Sequence, residues 1–223
     1  MWILPTKGRP NWLRRFFAAA EATRMTEPLV VCHDDEDDYE ITYPQNVVQV
    51  YRMKCPDLQS VFNEAFQLHP DAAYYGLLED DVVPRTDCWD VKMKEAAGTW
   101  NGVCCRGGFG KNAGLKLETV GGDFIRALGY LAPPKFKHYY HDSALSDLLY
   151  KMGLMIELPD VVMEHLHFSA GFRYDATYSA AFGHWTEDKA RYDEWKQKDY
   201  PATLERVHIM LRKDQYDHQS AGG

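Results

Sequence analysis

An excess of basic charge, paired cysteines, long apolar runs and internal repeats are all missing from this chain, and each absence narrows what it can be. Acidic residues outnumber Lys and Arg by 33 to 25, a formal net charge of −8. That balance argues against a broad nucleic-acid-binding face, although a local basic groove stays possible. The five cysteines (Cys32, Cys55, Cys88, Cys104, Cys105) form no C-x-x-C pair and leave one over. They read as reduced thiols of a cytoplasmic protein, not as a disulfide frame. No stretch approaches the length of a membrane span, and the opening MWILPTKGRP is too short and lacks the basic flank of a signal peptide. No linker marks a second unit, so residues 1–213 are expected to form one domain and the polar tail 214–223 to be disordered.

What is present is an alternation of strands and helices. WILP (2–5) reads as a strand, and NWLRRFFAAAEATR as an amphipathic helix with Trp12, Phe16, Ala19 and Ala20 at helical spacing, begun by Pro10 and capped by Asn11. PLVVC and NVVQVYRM read as further strands, DLQSVFNEAFQLH as a helix capped by Asp57, and YYGLL (74–78) as a fourth strand. The pattern predicts an α/β fold with a mostly parallel central sheet flanked by helices. The second half is less regular. A strand runs into a Gly-rich loop at 107–114, and a strand and turn lead to Gly122 and Asp123. DSALSDLLYKMG is a helix capped by Asp142, LMIELPDVVMEHLHF two strand segments around Pro159, and helices pack outside from Asp175 onward. Trp185, Tyr192 and Trp195 are spaced as a packed helix face.

The polarity collects at strand ends, where ligands bind in open α/β sheets. Thr6–Arg9 ends the first strand, His33–Asp38 the second, and Glu79-Asp80-Asp81 the fourth. Three adjacent carboxylates at the mouth of a buried strand repel one another and resist desolvation. Solvent, a cationic side chain or a bound metal can offset that cost. Alternation puts Glu79 and Asp81 on one face and Asp80 on the other, and such a pair suits a hard cation such as Mg²⁺ or Mn²⁺. The plain alternative is a solvated acidic loop. In VVMEHLHF, His165 and His167 share a face, which suits a metal or a phosphate, though a histidine at such a place is more often structural.

The order PT-x-GR, acidic cluster, N-E-A, L-E-D-D-V-V-P resembles glycosyltransferases of the GT-A fold, in particular the family 2-like group with its L-D-x-D-x-x-P motif. HDSALSDLLYKMGLMIELPDVVMEHLHF is similar to that group's E-D helix, strand and histidine, and the likeness runs from about residue 2 to 168. The resemblance implies a metal-dependent transferase that moves a sugar from a nucleotide diphosphate, a UDP- or GDP-sugar, to an acceptor hydroxyl, with inversion. The donor would meet Pro5, Thr6, Lys7, Arg9, Asp34, Asp35, Asn63, Glu79, Asp80, Gly122 and Asp123. The metal, Mn²⁺ or Mg²⁺, would be held by Asp81 and by His165 or His167, and Asp142 would be the general base. Residues 1–84 would form the nucleotide half and 85–213 the acceptor half. The departures are Glu79 in place of the first Asp, His141 in place of the acid before Asp142, and no Gln/Arg-x-x-Arg-Trp signature of polymer synthases. The acceptor, whether glycan, protein, lipid-linked sugar or modified base, has no motif. A nucleotidyltransferase would need a Gly-rich phosphate loop that PTKGRP does not supply. A non-catalytic nucleotide or sugar binder on the same fold is the rival from another class.

Overall fold

The computed structural model describes residues 1–54, 56–107, 115–166 and 175–221. Eight strands form one sheet in the order β3-β2-β1-β4-β7-β6-β8-β5. In chain order these are β1 (Trp2–Thr6), β2 (Leu29–Asp34), β3 (Val47–Met53), β4 (Tyr74–Leu77), β5 (Val82–Pro84), β6 (Gly102–Arg106), β7 (Leu115–Gly121) and β8 (Met155–His165). Strands β1 to β4 run parallel. β7 lies antiparallel between β4 and β6, and β8 runs parallel to β6. The sheet is therefore mixed: parallel through its first half, reversed at β7 and again at the edge strand β5.

Strands β1, β2 and β4 are buried on both faces, which explains their near-continuous apolar sequence. Successive side chains alternate between two cores. Trp2, Leu4, Leu29 and Val31 pack with α1 (Pro10–Ala22) and α3 (Trp89–Ala97). Ile3, Val30 and Cys32 face the opposite way, toward α2 (Leu58–Leu68), α4 (Gly122–Leu128) and α5 (His141–Met152). Three helices follow: α6 (Ala176–Phe182), α7 (Trp185–Lys198) and α8 (Tyr200–Ala221). None of the described helices is long and apolar enough to cross a membrane.

Several local expectations change. Asp57 caps α2 by accepting from the Ser60 amide at 2.8 Å. Asn11, by contrast, lies inside α1, whose N-cap is Arg9. Asp142 is likewise not a cap: it sits in the first turn of α5 behind Tyr140, held in the left-handed region at φ 69°. MIELPDVVMEH is a single strand, and its irregularity near Pro159 is absorbed as a register shift against β6. The segment from Asp214 to Ala221 continues α8. Trp195 is buried as expected of a packed face, whereas Trp185 is 47% exposed.

Direction decides what meets at the edge of the sheet. The carboxyl ends of β1, β2, β4, β6 and β8 share one edge, and because β7 is reversed, its amino end joins them. Glu79, Asp80 and Asp81 fill the break between β4 and β5, and β5 pairs back on β8 with Val82 opposite His165.

Candidate active site

The turn that leaves β1 starts the site. Gly8 takes φ +66°, a conformation that glycine adopts without strain. Its amide donates to Asp37 Oδ1 at 2.7 Å. Lys7, well exposed, pairs with Asp34 at 2.5 Å. That contact raises the lysine's pKa, and Asp34 sits below its usual range, burial opposing and Lys7 prevailing. Asp35 is exposed beside this pair. His33 is buried and hydrogen-bonded at both ring nitrogens, to Tyr39 at 3.1 Å and Tyr43 at 2.7 Å. Burial holds its pKa low despite Asp37. An open cavity of about 640 Å³ lies against these strand ends, lined in part by Arg14, Tyr39, Tyr43 and Arg52.

Arg9 turns inward. Its guanidinium lies 2.9 Å from Asp80 and 3.4 Å from Asp81, and it grips Asp175 through two nitrogens at 2.8 and 2.9 Å. The Tyr178 ring covers it at 4.5 Å, and the Tyr178 hydroxyl donates to Asp81. Thr6 donates to Asp80 at 2.9 Å. The bidentate grip and the stacked ring fix the fork as a lysine would not.

The three acids part company. Asp80 faces Thr6 and Arg9, while Glu79 and Asp81 face His165. His165 Nδ1 lies 3.3 Å from Glu79 and Nε2 3.1 Å from Asp81. One ligand atom from each of these three residues falls within 4.8 Å of the others. Their environments pull their pKa values apart. Burial raises Asp80 to about 7 against the pull of Arg9, with the charge of Asp81 adding to the rise. Burial opposes ionisation of Asp81 too, but His165, Tyr178 and Arg9 hold it well below the usual carboxylate range. Glu79, despite its burial, is brought down to about 2 by Lys116 and His165. His165 is raised, its desolvation outweighed by the two carboxylates.

Two residues not singled out in the sequence complete this cluster. Lys116 Nζ lies 2.8 Å from Glu79 Oε2 and 3.7 Å from Glu118 Oε1. Glu118 is fully buried, and among the described residues neither of its oxygens has a hydrogen-bond partner. Burial pushes it up to about 7 against Lys116. The only signal in the sequence was the alternation in K-L-E, which sets 116 and 118 on one face. Asp175 and Tyr178 had none, since they reach Arg9 and Asp81 across most of the chain.

Pro5 is buried at the end of β1, in line with Thr6. Asp142 lies near enough to Lys116, Glu118 and His141 for its charge to be felt at each. Asn63 lies elsewhere. Its amide staples α2 to the segment after α4, accepting from the Leu131 and Ala132 amides and donating to the Ala132 carbonyl, each at 2.9 Å. Gly122 and Asp123 are at the opposite edge of the sheet, because antiparallel β7 carries its carboxyl end to the start of β4, with Gly121 opposite Tyr74. Gly122 is small for packing, since a Cβ there would lie 2.0 Å from the Ala72 carbonyl oxygen. Asp123 pairs with Arg126 at 2.7 Å. His167 and the loop 108–114 lie outside the described residues.

The cluster fits a hard divalent cation. It offers two carboxylates and one imidazole, a donor set suited to Mn²⁺ or Mg²⁺. Its charge fits as well: Glu79 and Asp81 are both held in the ionised form.

No protein-family model and no curated protein sequence matches the chain. Among solved structures it is similar to a mannosyltransferase from Pyrobaculum calidifontis, in complex with GDP-Man and Mn²⁺, at 14% identity, covering 96% of this chain and 74% of that one with a TM-score of 0.59. A second match is a candidate nucleotide-diphospho-sugar transferase from Desulfovibrio desulfuricans G20, at 12% identity over 95% of this chain and 96% of that one, TM-score 0.49. At such identities the likeness is one of architecture, and it is the first match that carries it: the chain has a GT-A-like nucleotide-diphospho-sugar transferase fold.

Proposed function

We propose that the protein is a metal-dependent glycosyltransferase that moves a sugar from a nucleotide diphosphate to an acceptor hydroxyl. The observation that carries this reading is the meeting of Glu79, Asp81 and His165 at the ligand-binding edge of the sheet. It is supported by the fold shared with the Pyrobaculum mannosyltransferase, whose structure holds GDP-Man and Mn²⁺. Glu79, Asp81 and His165 would hold the cation. When bound, it supplies the positive charge that a departing nucleotide diphosphate needs.

The remaining roles belong to the chain itself. Arg9, held by Asp80 and Asp175, positions Asp81 and is not free to grip a phosphate. Lys7, exposed at the end of β1, is the side chain poised to meet the diphosphate. The cavity beside Tyr39, Tyr43 and Arg52 would take the nucleoside, and Asp34 and Asp35, at the end of β2, would read its base or ribose. Asp142 takes the proton from the acceptor hydroxyl as the sugar carbon is attacked from the far side, which gives inversion.

Unfolding midpoints measured with UDP, GDP, CDP, dTDP and their sugars, each with and without Mn²⁺, test the donor class. A ligand at a hundred times its dissociation constant adds about 2.7 kcal/mol. A metal-dependent shift with one nucleotide supports the reading, and no shift with any nucleotide contradicts it. A second reading, a non-catalytic binder, draws on Arg9 and Lys116 already neutralising part of the acidic cluster. Hydrolysis of the donor with Mn²⁺, absent in Asp142→Asn or Asp81→Ala, excludes it.

A further inference from the structure

Lys116 and Glu118 are used by none of the steps above, yet they border the candidate cation ligands. In the antiparallel pairing of β4 with β7, Tyr75 opposes Val120 and Gly76 opposes Thr119. Past the end of β4, where β7 carries a register irregularity at Glu118, the Lys116 side chain reaches Glu79. Lys116 therefore holds Glu79 as a cross-strand ion pair at 2.8 Å. A cation bound at Glu79, Asp81 and His165 would draw on that same carboxylate and would repel the ammonium beside it. The lysine then needs another counter-charge, because a partly buried ammonium without one is costly.

Glu118 offers it. The side chain is fully buried, both oxygens lack a hydrogen-bond partner among the described residues, and Oε1 stands 3.7 Å from Nζ, just beyond hydrogen-bond range. Buried carboxylates ordinarily have partners, so one with two empty acceptors calls for an explanation. Gly107 leaves it room: a Cβ there would come within 3.1 Å of Oε1. A small rotation of the lysine's flexible stem closes the gap to Glu118 while opening the one to Glu79.

We propose that Lys116 is a resident counter-cation which yields Glu79 to a divalent cation by turning to Glu118, so that Glu118 is a positioning residue for occupancy of the cation site. This rests on the reading of Glu79, Asp81 and His165 as the cation ligands and adds to it. Apart from the cation, the two arrangements differ in one contact: Lys116 on Glu79, or Lys116 on Glu118. The carboxylate at 118 matters because it lets the lysine leave Glu79 without being stranded.

The test is direct binding of Mn²⁺ to the full chain, followed by loss of the free-ion electron-paramagnetic-resonance signal at one slightly alkaline pH. The wild type is compared with Asp81→Ala, Glu118→Gln, Lys116→Met and the double variant Lys116→Met/Glu118→Gln, each first shown folded by circular dichroism. The expected result is that Glu118→Gln weakens binding about 10–100-fold, since the lysine has nowhere to go. Lys116→Met, which removes the competitor, binds Mn²⁺ at least as well as the wild type. The double variant returns to within about threefold of it, a strong non-additivity. A merely structural Glu118 leaves the double variant as weak as Glu118→Gln, and that result overturns the proposal. So does wild-type affinity in Glu118→Gln, or weak binding in Lys116→Met. If the wild type shows no Mn²⁺ binding that depends on Asp81, the cation site itself is refuted and this inference with it, an outcome distinct from the other three.

Discussion

Asp188 shows how much one carboxylate can organise. It is fully buried and accepts the backbone amides of Lys137, His138 and Tyr139 at 3.0, 2.8 and 2.9 Å. It thereby fixes the approach to α5 and Asp142. Replacing it by Ala removes three hydrogen bonds to part-buried amides, which costs about 3 kcal/mol, and urea titration should show it. Glu118 gives a pH signature in the metal-free protein. Its folded pKa, raised by burial to about 7, exceeds the unfolded value near 4.5. Its contribution is therefore fully present below pH ~4.5 and is lost as pH rises through ~7. Wild-type stability should fall across that window relative to Glu118→Gln, by up to about 3 kcal/mol. A pH-independent difference between the two proteins would show that Glu118 titrates normally.

At the level of elements, reversal of β7 is the feature on which the site depends. It brings Lys116 and Glu118 to Glu79 and removes Gly122 and Asp123 to the far edge. At the far end of β7, Cβ atoms added at Gly121 and Gly122 would lie 2.2 Å from the Thr99 carbonyl carbon and 2.0 Å from the Ala72 carbonyl oxygen. Gly122→Ala should thus destabilise by about 3 kcal/mol, at the upper end for overpacking, because backbone cannot yield as a side chain can. A midpoint within about 2 °C of wild type would contradict that packing. The strands and helices themselves were legible from periodicity, since both faces of β1 and β2 are buried and α2 carries its apolar stripe and cap within its own sequence. The direction of β7 was not, because an isolated apolar strand carries no record of its neighbour's sense. Asp142 failed as a cap for a similar reason. Tyr140 enters α5 in a left-handed conformation that propensity does not foretell.

For the molecule as a whole, the cluster joins parts of the chain that no local pattern connects. Arg9 follows β1, the acids follow β4, Lys116 opens β7, His165 closes β8, and Asp175 and Tyr178 arrive from α6 and the residue before it. Glu79, Asp81 and His165 could be picked out in the sequence by their residue types at strand ends. The side chains that neutralise and orient them could not, because their proximity exists only in the folded sheet. A site assembled from so many segments is held by the fold. Its cation affinity is therefore expected to vanish with global unfolding and to survive changes in α8 beyond Asp214, such as removal of 215–223.

The assignment stands or falls on whether Asp81 binds a cation that in turn binds a nucleotide. We would measure the thermal midpoint of the wild type and Asp81→Ala with GDP and UDP, each with and without Mn²⁺. The expected result is stabilisation by at least one nucleotide, dependent on Mn²⁺ and absent from Asp81→Ala. Equal midpoints in all conditions, or a Mn²⁺-dependent shift that persists in Asp81→Ala, would contradict it and leave the acidic cluster as an internal ion-pair network.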